Sequence, residues 1–307
     1  MLKFMLKRLF VAIPTLLILI TVSFALMRAA PGGPFTSEKT PPPAVLENLN
    51  AKYNLDKHIV VQYGIYMRDL ILYQDFGPSF KYQDRSVTEI IEGSFPRSAI
   101  IGLWSFFFII IIGIPIGIWA AVKQNHWQDY SVMSFAMSGV VFPNFVLAPL
   151  CVWLFAVKLG WLPAGGWGDG QFNYLILPIF AMATSYIAQV ARLSRGSMIE
   201  VLSSSYIRTA RAKGLPTSIV LWRHAMKPAL MPVITYLGIA FVGLITGSVI
   251  VDQVFQTGGI GQHFVQGATN RDYSLILGVT ILAGALSILF NAIVDMLYTA
   301  LDPRIRY

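Results

Sequence analysis

Apolar residues along this chain fall into long unbroken runs, not into the alternating or 3.6-residue stripes of a water-facing domain. Six runs approach or exceed ~18 residues, the length at which a helix crosses the hydrocarbon core of a bilayer. They are Leu9–Met27, Ser98–Val122, Val132–Val157, Tyr174–Ala191, Leu230–Val251 and Leu275–Leu301. The expected fold class is an all-α integral membrane protein with six transmembrane helices. The first run follows Lys3, Lys7 and Arg8, as the core of a cleaved signal peptide would. Its apolar part outlasts the ~7–15 residues of such a core, and no small-x-small site follows, so a retained helix is expected.

The polar segments between the runs set an orientation. With the N-terminus inside, the inside segments hold 13 Lys and Arg residues against three acids, Asp129, Glu200 and Asp302. The outside segments hold 10 basic and 11 acidic residues. This is the positive-inside asymmetry, which places both termini of a multi-pass membrane protein in the cytoplasm. The formal net charge of +8 is then a consequence of topology. A basic balance otherwise suggests nucleic acid; here no nucleic-acid partner is expected, and membrane lipid is. Composition agrees: 55% of residues are hydrophobic and 12% charged, with mean hydropathy +0.62, whereas soluble domains carry about 25% charged residues. The single cysteine, Cys151, excludes a disulfide framework.

The segments on the outer side have material to fold. Arg28 to Arg97 is a 70-residue loop that begins Pro-rich, at Pro31, Pro34, Pro41, Pro42 and Pro43, which favours extended backbone. Helical spacing follows at Val45, Leu49 and Tyr53, and again at Tyr63, Met67 and Leu70. A small external cap is expected over Ala44 to Leu72; a flexible linker is the alternative, against which Tyr53, Tyr63, Tyr66 and Tyr73 supply apolar area to bury. Trp161 to Trp167 reads as a Gly-rich interfacial loop, and Gly258-Gly259-Ile260-Gly261 as a tight turn at the external mouth.

Inside the spans, Gly113 and Gly117 stand four apart, as do Gly243 and Gly247. Small residues at this spacing let helix backbones approach closely, either as static packing or as a mobile contact lining a path. Pro115, Pro143, Pro149 and Pro178 are candidate kinks. Asn291 and Asp295 are the polar residues of the last span; Asp295 reads as a snorkelling or salt-bridged carboxylate near Arg304 and Arg306 more readily than as a proton relay.

Chemistry is missing. No G-x-x-x-x-G-K-[ST], H-E-x-x-H or G-x-S-x-G occurs. His58, His126, His224 and His263 are dispersed. No catalytic residue, cofactor or metal is expected in the chain, which makes a non-enzymatic role the expectation.

The longest strongly basic segment inside is Arg192 to Ala229, with seven basic residues and one acid. Ser203, Ser204 and Ser205 offer N-caps for a short helix over Tyr206, Ile207, Arg208, Thr209, Ala210, Arg211, Ala212 and Lys213. Gly214 suits its C-terminus, and Pro216 stops it. Tyr206, Ile207, Ala210 and Gly214 form one arc, where small residues leave room for another protein. Thr217 to Lys227 can form a second short helix leading to Pro228. The alternative is that the charges only orient the chain, which leaves the capped small-residue helix unexplained.

Ala210, Gly214 and Pro228 with this basic helix resemble the EAA loop of permease subunits in binding-protein-dependent ABC importers. Arg208 and Thr209 replace the first Glu and Ala of the general pattern, and the Gly214-to-Pro228 spacing is a residue longer, as in the peptide branch of the family. FGPSFKY at Phe76–Tyr82, NRDYSL at Asn270–Leu275, VDMLYTALDPRIRY at Val294–Tyr307 and the first 24 residues resemble B-type oligopeptide permeases of that branch, which it shares with dipeptide, nickel and glutathione permeases. The resemblance implies a type I importer permease (MetI-like) fold in a bacterial cytoplasmic (inner) membrane. It divides the chain into 1–94, the first helix with the outer loop, and 95–301, the transmembrane domain with coupling loop 192–229. It further implies that residues 206–214 dock on an ATPase. The implied partners are a homologous second (C-type) permease, two ABC ATPase subunits that bind Mg-ATP, and a periplasmic or lipid-anchored oligopeptide-binding protein. A self-contained channel or secondary transporter is the competing class, disfavoured by the scarcity of charge inside the spans; a membrane enzyme is the third.

Overall fold

The computed structural model describes residues 2–29, 35, 42–82 and 85–301. Most of the Pro-rich stretch, the Asp295 side chain and residues 302–307, with Arg304 and Arg306, lie outside the described residues. The helices, in chain order, are α1 (Leu2–Ala29), α2 (Pro43–Lys52), α3 (Ile59–Tyr73), α4 (Val87–Val122), α5 (Trp127–Val141), α6 (Asn144–Lys158), α7 (Phe172–Leu202), α8 (Ser205–Ala212), α9 (Thr217–Ile245), α10 (Val249–Phe255), α11 (Ile260–Asn270) and α12 (Tyr273–Leu301). Among the described residues, pairing of extended backbone is limited to the bridge between Pro78 and Ser86.

Five helices, α1, α4, α7, α9 and α12, are each long and apolar enough to cross a membrane, and α5 with α6 makes a sixth crossing broken by a 100° bend. The break has a local cause. Pro143 pushes the residue before it out of the helical region, and Phe142 sits at φ −86°, ψ 109°. The expected continuous span Val132–Val157 is corrected to this bent pair. Two other boundaries move. The second span starts at Val87 instead of Ser98, because Ser86 and Glu89 form a reciprocal capping box: Ser86 Oγ accepts from the Glu89 amide at 3.1 Å and Glu89 Oε2 from the Ser86 amide at 3.3 Å. The fifth ends at Ile245 instead of Val251, because the chain turns through Gly247 at φ +83° and Ser248 caps a new helix, α10.

Two crossings widen where a proline would otherwise clash. A proline ring meets the carbonyl four residues earlier. Those carbonyls, of Ile111 for Pro115 and His224 for Pro228, lie in the π-helical segments Ile109–Gly113 and Val220–Ala225. The wider turn makes room, so α9 runs unbroken from Thr217 through Pro228, instead of as a separate short helix before the span.

α7 is the hub. A Cβ on Gly113 would meet Val190, and one on Gly117 would fall on the Ala191 carbonyl oxygen, so α4 packs backbone-close to α7. Gly139 of α5 stands equally close to Thr184 of α7. Gly243 and Gly247 do not act as a helix-contact pair: Gly243 faces the Tyr186 hydroxyl, and Gly247 lies in the turn after α9 beside Ser98. The close contact between α4 and α9 is instead Gly102 against the Leu244 carbonyl.

One end of the bundle, here the cap end, carries α2, α3, α10 and α11; the other, the basic end, carries α8. At the cap end Tyr63 and Tyr66 of α3 pack on Phe24 of α1, at ring distances of 5.3 and 5.9 Å. Asp272, fully buried, caps α12 by accepting from the Leu275 amide and also accepts from the Ser79 hydroxyl and the Phe80 amide. The FGPSF and NRDYSL segments, nearly 200 residues apart (192 between Phe80 and Asp272), are thus one structure. Asp252 does the same for the turn after α9. Its buried carboxylate accepts from Thr257 Oγ1 at 2.6 Å, Ser98 Oγ at 3.0 Å and the Gly261 amide at 3.0 Å. Ser98 in turn accepts from the Ile260 amide. Burial pushes the Asp252 carboxyl up, against these hydrogen bonds and His263. Burial first, then Arg97, hold the His263 imidazole below its usual value, opposed by Asp252 and assisted by Arg85. Arg97 itself lies 5.7 Å over the Trp167 ring.

Two outcomes are expected. Gly117→Val drives a side chain into a backbone carbonyl and should cost about 1–3 kcal/mol or more. Gly196→Ala, where nothing lies within 4 Å of the added carbon, should hold or raise stability by about 0.5–1 kcal/mol; thermal unfolding of the purified proteins compares them. A histidine with a depressed folded-state pKa binds its proton more readily when unfolded. The stability from His263 is therefore intact above about pH 6.5 and is lost as pH falls from there toward the folded value. The midpoint of wild type should drop more than that of His263→Gln between about pH 7.5 and about pH 5.5.

Candidate functional site: the basic loop between α7 and α9

The loop begins where α7 runs out of hydrogen-bond partners. Ser203 Oγ donates to the Glu200 carbonyl at 2.7 Å and Ser204 Oγ to the Val201 carbonyl at 2.6 Å. The serines thus close the end of α7 and do not cap α8, whose N-cap position, Ser204, makes no side-chain cap bond. This corrects the N-cap expected from the serine run. Extended backbone at Ser204 turns the chain, and α8 follows for eight residues. At its far end the Gly214 amide donates to the Arg211 carbonyl at 2.9 Å, with Gly214 at φ +76°. Pro216 then opens α9.

The expected arc of Tyr206, Ile207, Ala210 and Gly214 is divided. Ile207 is 0% exposed and Ala210 7%. Both pack into the protein's own cluster with Ala121 of α4, Met198 of α7, and Val220, Ala225 and Ala229 of α9. Tyr206, Arg208, Thr209, Arg211, Ala212, Lys213 and Gly214 face outward. The small size of Ala210 therefore serves packing within the chain, and Gly214 serves a left-handed turn: a Cβ there would meet nothing within 4 Å, but φ +76° strains any other residue. What the loop presents outward is a cationic face, Arg208, Arg211 and Lys213, beside Tyr206 and two exposed apolar side chains of α9, Ile219 and Trp222 at 73% exposure. Trp222 was not singled out from the sequence. A tryptophan within a basic polar segment is the signal that could have marked it, since exposed tryptophan flanked by arginine is what interface centres use.

Just above the loop, Asp129 of α5 and Arg195 of α7 form a bidentate pair, Nε to Oδ1 and Nη2 to Oδ2, both at 2.6 Å. The Asp129 side chain is 1% exposed and also accepts from the Asn125 amide. Arg195 lies three residues before Met198 and one after Ser194, on which Gly117 packs. α4, α5, α8 and α9 therefore meet on the last two turns of α7. α7 is 31 residues long in all, about 46 Å at 1.5 Å per residue. At the cap end its Leu175, Leu177 and Ile179 share a core with Val251 and Phe255 of α10. Among the described residues no three His, Cys, Asp or Glu side chains cluster as metal ligands.

A family model described as "Binding-protein-dependent transport system inner membrane component" matches residues 113–307, and the N-terminal model of the same transport systems matches residues 1–101. The chain is 56% identical over 307 residues to the oligopeptide transport system permease protein OppB of Haemophilus influenzae and 57% identical to that of Escherichia coli K12, with 100% of both chains covered. It is 40% identical over 306 residues to the dipeptide transport system permease protein DppB of Bacillus subtilis, covering 100% of this chain and 98% of that one. Among solved structures, inward-facing conformations of the MetNI methionine ABC transporter superpose at TM-scores of 0.57 and 0.59 and 19% identity. They cover 70% and 69% of this chain and 97% and 96% of theirs. At that identity the likeness is one of fold.

Ile207→Ala should lower stability by about 2–5 kcal/mol and remove the slow amide exchange of α8. Arg208→Ala, on the outward face, should change neither; hydrogen exchange read by mass spectrometry reports both.

Proposed function

We propose that this chain, which belongs to the family of binding-protein-dependent transport system inner membrane components, is the permease subunit of an ATP-driven importer of oligopeptides. Full-length identity of 56–57% to oligopeptide permeases carries the substrate class. The 40% identity to a dipeptide permease is lower. The basic end faces the cytoplasm, in keeping with the Lys and Arg asymmetry. The cap end faces the binding protein that delivers peptide. Half of the translocation path comes from this chain and half from a homologous second permease.

The chain lacks a P-loop, so Mg-ATP is bound by two separate ATPase subunits, and α8 is the element they move. Its outward Arg208, Arg211 and Lys213 suit an acidic cleft, and Tyr206 with Trp222 supply aromatic anchors of the kind that dominate interface energy. Because Ile207 and Ala210 hold α8 to α4, α7 and α9 at once, displacement of α8 displaces three crossings together, the rigid-body class of switch.

Reconstitution of the chain with its second permease, ATPases and binding protein tests this reading. Oligopeptide should stimulate ATP hydrolysis and uptake. The double variant Arg208→Glu/Arg211→Glu should reduce both by about tenfold or more at unchanged membrane abundance, as expected for reversed charge at an interface. Gly214→Val should abolish uptake through the strained turn. Transport by the purified chain alone, or stimulation by nickel or glutathione but by no peptide, would sink the proposal.

A further inference from the structure

A cavity of about 200 Å³ opens at the cap end between α1, the α2–α3 turn, α3, the loop at 75–80 and the start of α12. Phe24, Ile65, Phe76 and Leu277 make its apolar wall. Its polar lining divides by sign and by hydrogen-bonding role. Arg28, Lys52 and Tyr66 are donors; Asp69, Asp75 and the Gln62 side-chain carbonyl are acceptors.

Two of these groups are buried and have no hydrogen-bond partner among the described residues. Tyr66 Oη is one, and it stays a neutral donor because burial, and then the Asp75 carboxylate, push its ionisation up. Gln62 Oε1 is the other. Its amide cannot turn over to solve this, because Nε2 donates to the Lys57 carbonyl at 2.7 Å and the Leu55 carbonyl at 3.3 Å. The two carboxylates are engaged through Oδ1: Asp69 with Arg68, and Asp75 with the Gly77 amide and Thr88 hydroxyl. No described carboxylate lies within ion-pair distance of Arg28 or Lys52. Arg28 instead lies 5.2 Å over the Phe24 ring. A buried donor and a buried acceptor left open each cost stability, and one cavity holding both is complementary to a molecule with an anionic and an ammonium end.

We propose that this cavity binds the phosphoethanolamine headgroup of a membrane phospholipid, with its phosphate at Arg28, Lys52 and Tyr66 and its ammonium at Gln62, Asp69 and Asp75. Location favours lipid over a peptide, which carries the same two charges. α1 presents bare apolar side chains, Ile18 at 63% and Leu26 at 67% exposure, up to the residue before Met27 at the cavity rim. Arg28 follows at the end of that apolar segment, where a headgroup phosphate would lie. The volume is below the ~300–1,000 Å³ of pockets that enclose larger ligands, which fits a headgroup and excludes a several-residue peptide.

The full chain, extracted in mild detergent from membranes of mixed phospholipid, tests this by counting retained lipids with native mass spectrometry. Wild type should retain phosphatidylethanolamine in preference to phosphatidylcholine and phosphatidylglycerol. Arg28→Gln and Tyr66→Phe should each lower that retention about tenfold. Tyr66→Phe removes only a hydroxyl that no described residue hydrogen-bonds, so it keeps the test open if Arg28→Gln proves unstable. Equal retention in wild type and Tyr66→Phe, or no preference among the three lipids, would overturn the proposal. So would displacement of the lipid by millimolar trialanine, which would assign the site to peptide.

Discussion

The complete burial of Ile207 is the contact on which the rest of the loop depends. An eight-residue helix does not hold together in water by its own hydrogen bonds. α8 exists because its narrow apolar edge, Ile207 and Ala210, sinks into a niche made by α4, α7 and α9. Burying one isoleucine side chain is worth about 1.5–3 kcal/mol, enough to order a single turn pair. With that edge committed inward, the remaining side chains have one direction left, and Arg208, Arg211 and Lys213 stand outward as a group. The same contact that folds α8 therefore sets what it displays, and ties the displayed face to three membrane crossings.

Six crossings were legible from hydropathy because transfer of side chains into hydrocarbon is what those runs encode. Their ends were not, because ends are set by backbone chemistry. Glu89, Glu92 and Arg97 make the start of α4 look like loop, whereas the Ser86–Glu89 capping box and the buried Val87, Ile90 and Ile91 make it helix. Phe142 before Pro143, and Gly247 in a left-handed turn, interrupt runs that remain apolar on both sides. The loop of the candidate site was legible as a short basic helix between breakers. The direction it faces was not: Tyr206, Ile207, Ala210 and Ala212 are all apolar, only Ile207 and Ala210 go inward, and the niche that receives them comes from residues 121, 198, 220, 225 and 229. The glycine spacing was informative at 113 and 117 and misleading at 243 and 247, since four-residue spacing says nothing about whether both positions are helical.

Several acids counted as loop charges are internal fasteners. Asp129, Asp252 and Asp272 are almost fully buried, and each accepts hydrogen bonds from a segment distant in sequence. The orientation argument survives because it rests on lysine and arginine, with little weight on acids. Buried carboxylates that only accept are demanding: an amide in the same place would turn one accepting oxygen into a donor facing other donors. They fix the turns at both ends of the bundle more tightly than apolar contact, which tolerates sliding.

Those fasteners leave the crossings unequal in stiffness. α7 keeps α-helical geometry from Phe172 to Leu202, with its one proline, Pro178, in the second turn, where the freed carbonyl is Tyr174 near the helix start. α4 and α9 each pass through a π-helical turn beside a proline, and α6 is π-helical over Val152–Lys158. π-Helical turns are among the places where long helices kink. Under the proposed coupling, a displacement entering at α8 would meet one straight element and several that yield. α7 is the element that would carry it to Val251 and Phe255, with which its first turns share a core. α4 and α9 would take up the change of angle at their π-helical segments, residues 109–113 and 220–225. The bundle would then open by bending around α7, with the buried Asp129–Arg195 pair holding the first half of the broken crossing to it.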